Sequence, residues 1–378
     1  MARIMWACWD GGGNLTPSLG IAHVLESRGH QIHFFGRPDM VQRVEAAGFA
    51  ATALTHARTD LDRYSFHPLA TVFGFTSSPA VGEELVDVVY RWNPDVVVID
   101  AMFSSALNVA PRFERPTVVM LHTFFHHLVG MWQGNFAMQS DSRQRAGFDA
   151  LPDLDTLWGE RDVFHVNALR AFDGEPIRSS WPVVHGAPVV TAERRAVPVE
   201  LPWGIGDPTP IALLSFSTVP EQRNADMLQR ALDALEPLPV HVVATTGGIV
   251  DPADLVPPSN AHLVPFADHD DLMKRASFVV GHGGHGTTMR AFLHGLPMVG
   301  IPSKGADQIP ITQLIEQWGA GRALPMDANV HQIRAAAQEI LNDARFGCEA
   351  KQRSAAFAGL DGAAMAADSV EAVIPVNI

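Results

Sequence analysis

The chain has 378 residues, 47% apolar and 18% charged, so it is long enough for two globular domains and too apolar to be disordered. Its formal net charge of −14 argues against nucleic acid or an anionic membrane surface as the main partner. It has only two cysteines, Cys8 and Cys348, without zinc-ligand spacing, no signal-like N-terminus, and no clean apolar run of about 18 residues. We therefore expect a cytoplasmic protein with reduced thiols.

The first half of the sequence alternates apolar strands with helices. Strands are predicted at 3–9, 31–35, 49–54, 94–100 and 116–121, and helices at 15–28, 38–47, 79–92 and 101–113. Residues 56–78 show no clean period and predict a loop, residues 149–178 carry no readable pattern, and the proline-rich segment 190–210 predicts a linker. The alternation predicts a parallel sheet with helices on both faces.

The second half repeats this architecture. Strands are predicted at 211–216, 240–245, 261–264, 278–280 and 297–302, and helices at 221–236, 270–275, from Thr287, and at 313–318, 330–342, 345–357 and 362–373. The predicted fold class is α/β, with two Rossmann-like parallel-sheet domains.

A glycine- and histidine-rich turn, Gly281 to Gly286, lies between the strand at 278–280 and the helix after it. Glycines allow the backbone to approach a ligand closely, and the first amides of a helix favour an anion. We expect Thr287 and Thr288 to cap that helix and to offer hydroxyls. The turn has no lysine or arginine, so amides, the helix dipole and His282 would neutralise the charge. The pattern predicts a phosphate or diphosphate site.

The run from His282 to Thr287, followed by Gly295-Leu-Pro297, Pro302 and Asp307-Gln308, resembles the donor-binding signature of nucleotide-sugar glycosyltransferases with the GT-B fold. The likeness is strongest to the family that glycosylates small lipophilic natural products, including macrolides. It implies two domains that face each other across a cleft. It also implies a metal-independent inverting enzyme without a cofactor. Such an enzyme moves a hexose or deoxyhexose from a UDP- or TDP-sugar to a hydrophobic acceptor. It has no stable membrane insertion and is compatible with a homodimer.

The resemblance also divides the chain and assigns donor contacts. Residues 1–195 would bind the acceptor, 196–210 link the domains, 211–355 bind the nucleotide sugar, and 356–378 form a helix that crosses back to the first domain. Phe266 would stack on the base, the Ala267 backbone would read its edge, and His282 would bind the diphosphate. The other implied donor contacts are Ser217, Thr218, Gly284, Gly286, Thr287, Asp307 and Gln308, the last two on sugar hydroxyls.

The sequence departs from the family at the catalytic base. The family pattern G-H-x-x-P carries a histidine oriented by an aspartate, but here Asn14 follows Gly13, while Asp100 matches the aspartate. Neutral asparagine cannot take a proton. One account is a substitute base, with candidates Asp10, Asp100, His122, His126 and His127. A second is an acidic acceptor, such as a phenol or an enol-like carbon, that needs little help. A third is a chain that binds without turnover.

Aromatic residues follow the strand at 116–121 and predict a wall of the acceptor pocket. They are Phe124, Phe125, His126, Trp132 and Phe136. Such pockets are mostly apolar with a few polar groups. An ordinary aromatic core is the alternative.

Three rival functions stay open. Gly281 to Gly286 also fits G-x-G-x-x-G with Asp307 about 20 residues on, as in an NAD-dependent oxidoreductase, but the second strand ends at Pro302 and leaves Asp307 in a loop. A nucleotide-sugar 2-epimerase and a non-catalytic auxiliary protein of a partner glycosyltransferase are the others. Asp60-Leu-Asp62 fits a D-x-D sugar-metal motif but falls in the loop.

Overall fold

The structure, a computed structural model, describes residues 1–11, 13–55, 74–159, 161–174, 181–190, 199–204, 206–217, 224–303 and 307–375. Its contacts divide the chain into two compact units, Met1–Thr191 with Asp361–Ile378, and Ala192–Leu360. The sequence had suggested boundaries at 195, 210 and 355.

Strands and helices alternate along both units. The strands are β1 Arg3–Ala7, β2 Gln31–Gly36, β3 Ala50–Ala53, β4 Val96–Asp100, β5 Thr117–Leu121, β6 Val163–Val166, β7 Val183–His185, β8 Ile211–Ser215, β9 His241–Thr245, β10 Ala261–Val264, β11 Phe278–Gly281, β12 Met298–Gly300 and β13 Gly321–Ala323. The helices are α1 Leu15–Ser27, α2 Pro38–Ala46, α3 Pro79–Trp92, α4 Ser104–Val109, α5 Phe125–Gly134, α6 Phe136–Arg145, α7 Leu154–Trp158, α8 Arg170–Asp173, α9 Ala225–Leu235, α10 His269–Arg275, α11 His285–Leu293, α12 Gln308–Gln317, α13 Val330–Asn342, α14 Ala344–Ala355 and α15 Gly362–Glu371.

The described strands of the first unit form one parallel sheet in the order β3-β2-β1-β4-β5-β6-β7. Every residue of β4 and β5 is buried, as expected of near-continuous valine and isoleucine runs covered on both faces. The core of one face contains Trp6, Phe34 and apolar residues of α1. The C-terminal helix α15 completes this core with Ala366 and Val370.

The second unit has its own parallel sheet, in the order β10-β9-β8-β11-β12-β13. Apolar side chains of α9 and α13 cover it, including Leu228, Leu232 and Ile333. The predicted fold class, two Rossmann-like parallel-sheet domains in an α/β chain, is therefore confirmed.

The main departures from prediction lie where the sequence pattern is weak. Strands β6 and β13 were missed, because one has His165 in its middle and the other is only three residues long. Helix α12 begins at Gln308, before Pro310, since proline is tolerated in the first turn where its missing N–H has no partner to lose. Residues 125–145, which read as an irregular loop followed by unassigned chain, form α5 and α6.

Both sheets reverse their winding at one point, and this positions the sites. Each has the strand order 3-2-1-4-5-6 of a doubly wound sheet, extended by β7 in the first unit. Ligands of such sheets bind at the carboxyl ends of the two strands where the order reverses. These strands are β1 and β4 in the first unit, and β8 and β11 in the second.

Candidate active site

The glycine-rich turn lies at the switch point of the second unit. Gly281 ends β11 and pairs with Ser215 at the end of β8, which in turn pairs with Thr245 of β9. A Cβ on Gly281 would lie 2.7 Å from the Ser215 carbonyl oxygen, so the two strand ends approach more closely than a side chain allows. The dinucleotide alternative is disfavoured here, because its glycine motif follows the first strand of the sheet whereas this turn follows the fourth.

The turn is held against the start of α12. Gly283 has φ +75°, and a Cβ there would lie 2.4 Å from Cγ2 of Thr312 and 3.1 Å from the Gln308 carbonyl oxygen. Two segments that the sequence predicted to contact one donor are therefore packed together. Helix α11 begins at His285 with Gly284 as its N-cap, so the expected capping by Thr287 and Thr288 is wrong. Both threonines lie inside the helix, and the hydroxyl of buried Thr288 has no hydrogen-bond partner among the described residues.

His282 directs a neutral imidazole into this turn. Burial lowers its pKa to about 4, although an interaction with the Ser215 backbone acts the other way. Nε2 lies 2.5 Å from the place where a Cβ on Gly284 would be. A neutral ring donates one hydrogen bond, so His282 can bind an anion as a donor without carrying positive charge.

A second buried histidine, which sequence reasoning missed, stands beside the turn. His269 opens α10, and its Nε2 lies 3.4 Å from Oγ1 of Thr245 and 3.5 Å from Oγ of Ser215. Burial lowers its pKa to about 4, with the cation of Arg290 acting in the same direction. The sequence offered one signal for His269: it closely follows Phe266 and Ala267, which were predicted to bind the nucleotide base.

The two predicted base contacts, Phe266 and Ala267, follow β10. Phe266 is 65% exposed, so it is not part of the core. It lies over Gly248, whose φ is +70° and where a Cβ would meet the ring at 2.7 Å. Neither the N–H nor the C=O of Ala267 makes a hydrogen bond within the described ranges. An exposed aromatic face beside free backbone groups can hold and read a flat heterocycle.

Asp307 and Gln308 start α12. Gln308 is buried, and its Oε1 accepts hydrogen bonds from the backbone N–H and the hydroxyl of Ser303 at 2.8 and 2.7 Å. Asp307 is the N-cap of the helix without a side-chain capping bond. Ser217 is buried just beyond β8, while Thr218 and the Asp60-Leu-Asp62 motif lie outside the described residues.

Asp100 and Asn14 meet at the switch point of the first unit. Asp100 ends β4, and its Oδ2 accepts a hydrogen bond of 2.8 Å from Nδ2 of Asn14. Its Oδ1 accepts from the Trp9 indole at 3.2 Å and from the Met102 backbone at 2.8 Å. Burial raises the pKa of Asp100 to about 6, although these three donors act the other way. The three hydrogen bonds thus orient the carboxylate, while its raised pKa brings its protonation close to neutral pH.

Two of the other candidate bases, Asp10 and His122, contact other side chains. Asp10 pairs with Arg43. The Nε2 of His122 lies 3.0 Å from Oγ of Ser18, and its Nδ1 lies 3.0 Å from the amide nitrogen of Asn167. Ser18 donates in turn to the Asn14 carbonyl at 2.7 Å, so His122 supports the segment that carries Asn14. His126 is exposed, and burial lowers the pKa of His127 to about 4.

The aromatic residues after β5 divide into two groups. Phe124, Phe125 and Trp132 are buried, and the Phe125 ring contacts Phe164 and Trp181 edge to face. These three therefore build core. His126 is exposed and Phe136 is partly buried, so only these two present surface to a ligand.

Two doubly wound units, one with a glycine turn suited to a diphosphate at its switch point and one with an oriented carboxylate, fit the predicted class of nucleotide-sugar enzymes with two Rossmann-like halves. Residues 229–360 match the family model described as the C-terminal domain of erythromycin biosynthesis protein CIII-like proteins. The predicted resemblance to nucleotide-sugar glycosyltransferases of natural-product biosynthesis is confirmed.

Relatives of the whole chain agree with this assignment. The chain is 28% identical over 424 residues to 4'-demethylrebeccamycin synthase of Lentzea aerocolonigenes, covering 99% of this chain and 100% of that protein. The calicheamicin glycosyltransferase CalG4 shares its fold, with a TM-score of 0.80, 23% identity, and coverage of 99% and 98% of the two chains. The glycosyltransferase VinC, solved in complex with DTDP, has a TM-score of 0.71, 18% identity, and coverage of 98% and 99%.

The described residues contain neither a candidate membrane span nor a candidate metal centre. No helix in them has both the length and the apolar character needed to cross a membrane. No group of three or more His, Cys, Asp or Glu in these ranges is arranged to hold a metal ion.

Proposed function

We propose that the chain transfers a hexose or deoxyhexose from a UDP- or TDP-sugar to a small-molecule acceptor. The observation that carries the proposal is the glycine turn at the carboxyl end of β11, which meets the amino end of α11 at the switch point of the second sheet and packs on Gln308. A diphosphate is the ligand that suits close backbone approach and helix amides.

The donor would bind within the second unit. Phe266 would stack on the base, Ala267 would hydrogen-bond its edge, and neutral His282 would donate to the diphosphate. Asp307 and Gln308 would bind the sugar, with Gln308 oriented by its bonds to Ser303. Amides and the helix dipole would stabilise the charge that develops on the leaving diphosphate, so we propose transfer without a metal or a cofactor.

The acceptor would bind to the first unit, where Asp100 would take its proton. Oδ1 of Asp100 already accepts two hydrogen bonds, whereas Oδ2 accepts only the one from Asn14 among the described residues, which leaves a lone pair for the acceptor hydroxyl. A carboxylate with a pKa of about 6 is ionised at pH 7 and basic enough to assist attack. Attack from the side opposite the diphosphate would invert the anomeric carbon.

Calorimetry and turnover test the proposal separately. We expect UDP or TDP to bind the whole chain and NAD not to bind, with the heat of nucleotide binding lost in a Phe266→Ala variant because the stacking surface is removed. Tight binding of NAD without UDP or TDP would favour the oxidoreductase instead.

A second candidate, a non-catalytic auxiliary protein, is supported only by Asn14 in the place of the family histidine. Turnover of a phenolic acceptor with UDP-glucose or a TDP-deoxysugar, followed by mass spectrometry of the product, distinguishes the two. An enzyme gives a product that disappears in Asp100→Asn, whereas an auxiliary protein binds the nucleotide and gives none.

A further inference from the structure

Asn14 stands at the start of helix α1 but does not cap it. It occupies the N-cap position with φ −104° and ψ −24°, and its side chain makes no capping hydrogen bond. Asparagine is among the residues that cap helices best, because its side-chain oxygen accepts from the first amides of the helix. Here Oδ1 accepts from the Gly11 N–H at 2.8 Å instead, and Nδ2 donates to Oδ2 of Asp100. The side chain is therefore turned from its own helix to the proposed base.

Ser18 and His122 fix the backbone of Asn14. The Asn14 carbonyl accepts from the Ser18 backbone N–H at 3.3 Å and from the Ser18 hydroxyl at 2.7 Å. Oγ of Ser18 lies 3.0 Å from Nε2 of His122, which directly follows β5. On the other side of the ring, Nδ1 lies 3.0 Å from the side-chain nitrogen of Asn167, which directly follows β6. Ser18 and Asn167 are buried. We call Asn167, His122 and Ser18 the support chain of Asn14.

The hydrogen bonds of the support chain run in one direction. A carbonyl oxygen can only accept, so Ser18 uses its single hydroxyl proton on Asn14. Nε2 of His122 must then donate to Oγ of Ser18, and Nδ1 of the neutral ring accepts from the Asn167 amide. Asn167 thus fixes the tautomer of His122, and His122 fixes the rotamer of the Ser18 hydroxyl. Such bonds strengthen one another, so the loss of one loosens the rest.

The support chain leads to Asp100 through Asn14. Burial raises the pKa of Asp100, and the hydrogen bond from Asn14 lowers it. Other titratable groups face this site from neighbouring elements, namely Cys8 after β1, Asp10 in the loop that follows, and Arg43 on α2. Burial holds the pKa of Cys8 well above its ordinary value, so it stays a thiol, and Asp10 pairs with Arg43. The orientation of Asn14 therefore acts on the protonation of Asp100.

We propose that His122 and Ser18 are positioning residues, which direct the Asn14 side chain onto Asp100 and away from the end of α1. The proposal rests on the proposed function, in which Asp100 takes the acceptor proton. It assigns His122 the role of a donor to Ser18 and not that of a base. Without the support chain, the Asn14 side chain returns to the amides at the start of α1. Asp100 then loses one of its three donors and keeps its proton to higher pH.

The Trp9 indole reports the protonation of Asp100 without any turnover. Its N–H donates to Oδ1 of Asp100 at 3.2 Å, so its ¹H–¹⁵N resonance should move as the carboxylate takes up a proton. The chain has 8 tryptophans, and the resonance that disappears in Trp9→Phe identifies Trp9. In the wild-type chain we expect a titration midpoint of about 6. Asp100→Asn should remove this titration.

Ser18→Ala tests the support chain with the loss of a single oxygen. We expect it to raise the midpoint by about 0.5–1 pH unit, and His122→Leu to move the midpoint in the same direction. His122→Gln should keep the wild-type midpoint, because its amide can donate to Ser18 in place of Nε2. Ser18→Ala combined with Asn14→Ala should shift the midpoint no further than Asn14→Ala alone, since both changes remove the same donor from Asp100.

His33→Leu is the control, because His33 is a partly buried histidine of the same unit with Nε2 2.8 Å from a hydroxyl, that of Thr52. It should leave the Trp9 midpoint unchanged. The proposal is overturned if Ser18→Ala keeps the wild-type midpoint, if His122→Gln shifts it as far as His122→Leu, or if the double variant exceeds Asn14→Ala.

Turnover of a phenolic acceptor with UDP-glucose or a TDP-deoxysugar is followed separately, as the pH profile of kcat/KM. In an active enzyme the profile of Ser18→Ala should move with the Trp9 midpoint. A midpoint that moves as expected in a chain without turnover refutes the glycosyltransferase alone. Turnover with a midpoint that Ser18→Ala does not move refutes the support chain alone.

Discussion

Asp100 is the residue on which the proposed chemistry depends. Proton removal by Asp100 requires its ionised form, so kcat/KM should rise with pH through about 6 and level off above it. The hydrogen bond from Asn14 lowers the pKa of Asp100, so Asn14→Ala should move the rise to higher pH. Asp100→Asn should remove the rise and reduce kcat by at least about 100-fold. These profiles are measured with saturating donor.

Asn14→His is the matched variant for this prediction. Its ring can donate to Oδ2 of Asp100, as the Asn14 amide does at 2.8 Å, so its activity should rise near the wild-type pH, whereas the rise of Asn14→Ala moves to higher pH. An Asn14→Ala profile that coincides with that of the wild type would show that Asp100 is not the titrating base.

The sequence predicted which residues come together better than it predicted their roles. Asn14 and Asp100 were paired from the resemblance, and the structure joins them by a hydrogen bond. The contact of His122 with Ser18 could not be predicted from the sequence, because it depends on how helix α1 and the end of β5, 104 positions apart, meet in space.

At the scale of elements, the turn after β11 depends on Gly283. Alanine there would adopt φ +75°, and its Cβ would lie 2.4 Å from Cγ2 of Thr312. We expect Gly283→Ala to lower the free energy of unfolding by about 1–3 kcal/mol and to weaken UDP or TDP binding, because α12 must shift away from the turn. Urea unfolding and calorimetry measure the two effects.

Gly347→Ala is the matched control, because Gly347 lies inside α14 with open space around its Cα. It should be neutral or stabilising, since alanine favours a helix over glycine. If Gly283→Ala binds the nucleotide as tightly as the wild type, the close contact between the turn and α12 does not contribute to the donor site.

Elements with a clear apolar pattern between turn residues were predictable, and elements without one were not. The helix at 79–92 and the strand at 261–264 were predicted at their observed bounds. A wide apolar stripe marks the helix, and a short apolar run between turn residues marks the strand. The start of α11 was placed two residues late, since His285 and Gly286 read as turn while Gly284 holds the N-cap. Local pattern cannot separate the last residue of such a turn from the first of the helix.

At the scale of the whole molecule, the end of the chain belongs to the core of the first unit. Helix α15 packs on α1, and Arg28 at the end of α1 pairs with Asp368 and Glu371. Below the helix, Nδ1 of His165 on β6 lies 2.8 Å from Oγ of Ser369. A buried neutral histidine thus connects the central sheet to the last helix.

This histidine makes the stability of the chain dependent on pH. Burial lowers the pKa of His165 to about 4, whereas an unfolded histidine titrates at about 6.5. Between these values the unfolded state binds the extra proton, so its stabilising contribution is complete above pH 6.5 and is lost as pH falls. Between pH 6.5 and 5 we expect a loss of about 2 kcal/mol from this group, which His165→Gln should abolish. Urea unfolding at both pH values measures it, with His331→Gln at an exposed position of α13 as the control. An equal loss in wild type and His165→Gln would show that the connection to α15 does not depend on a neutral ring.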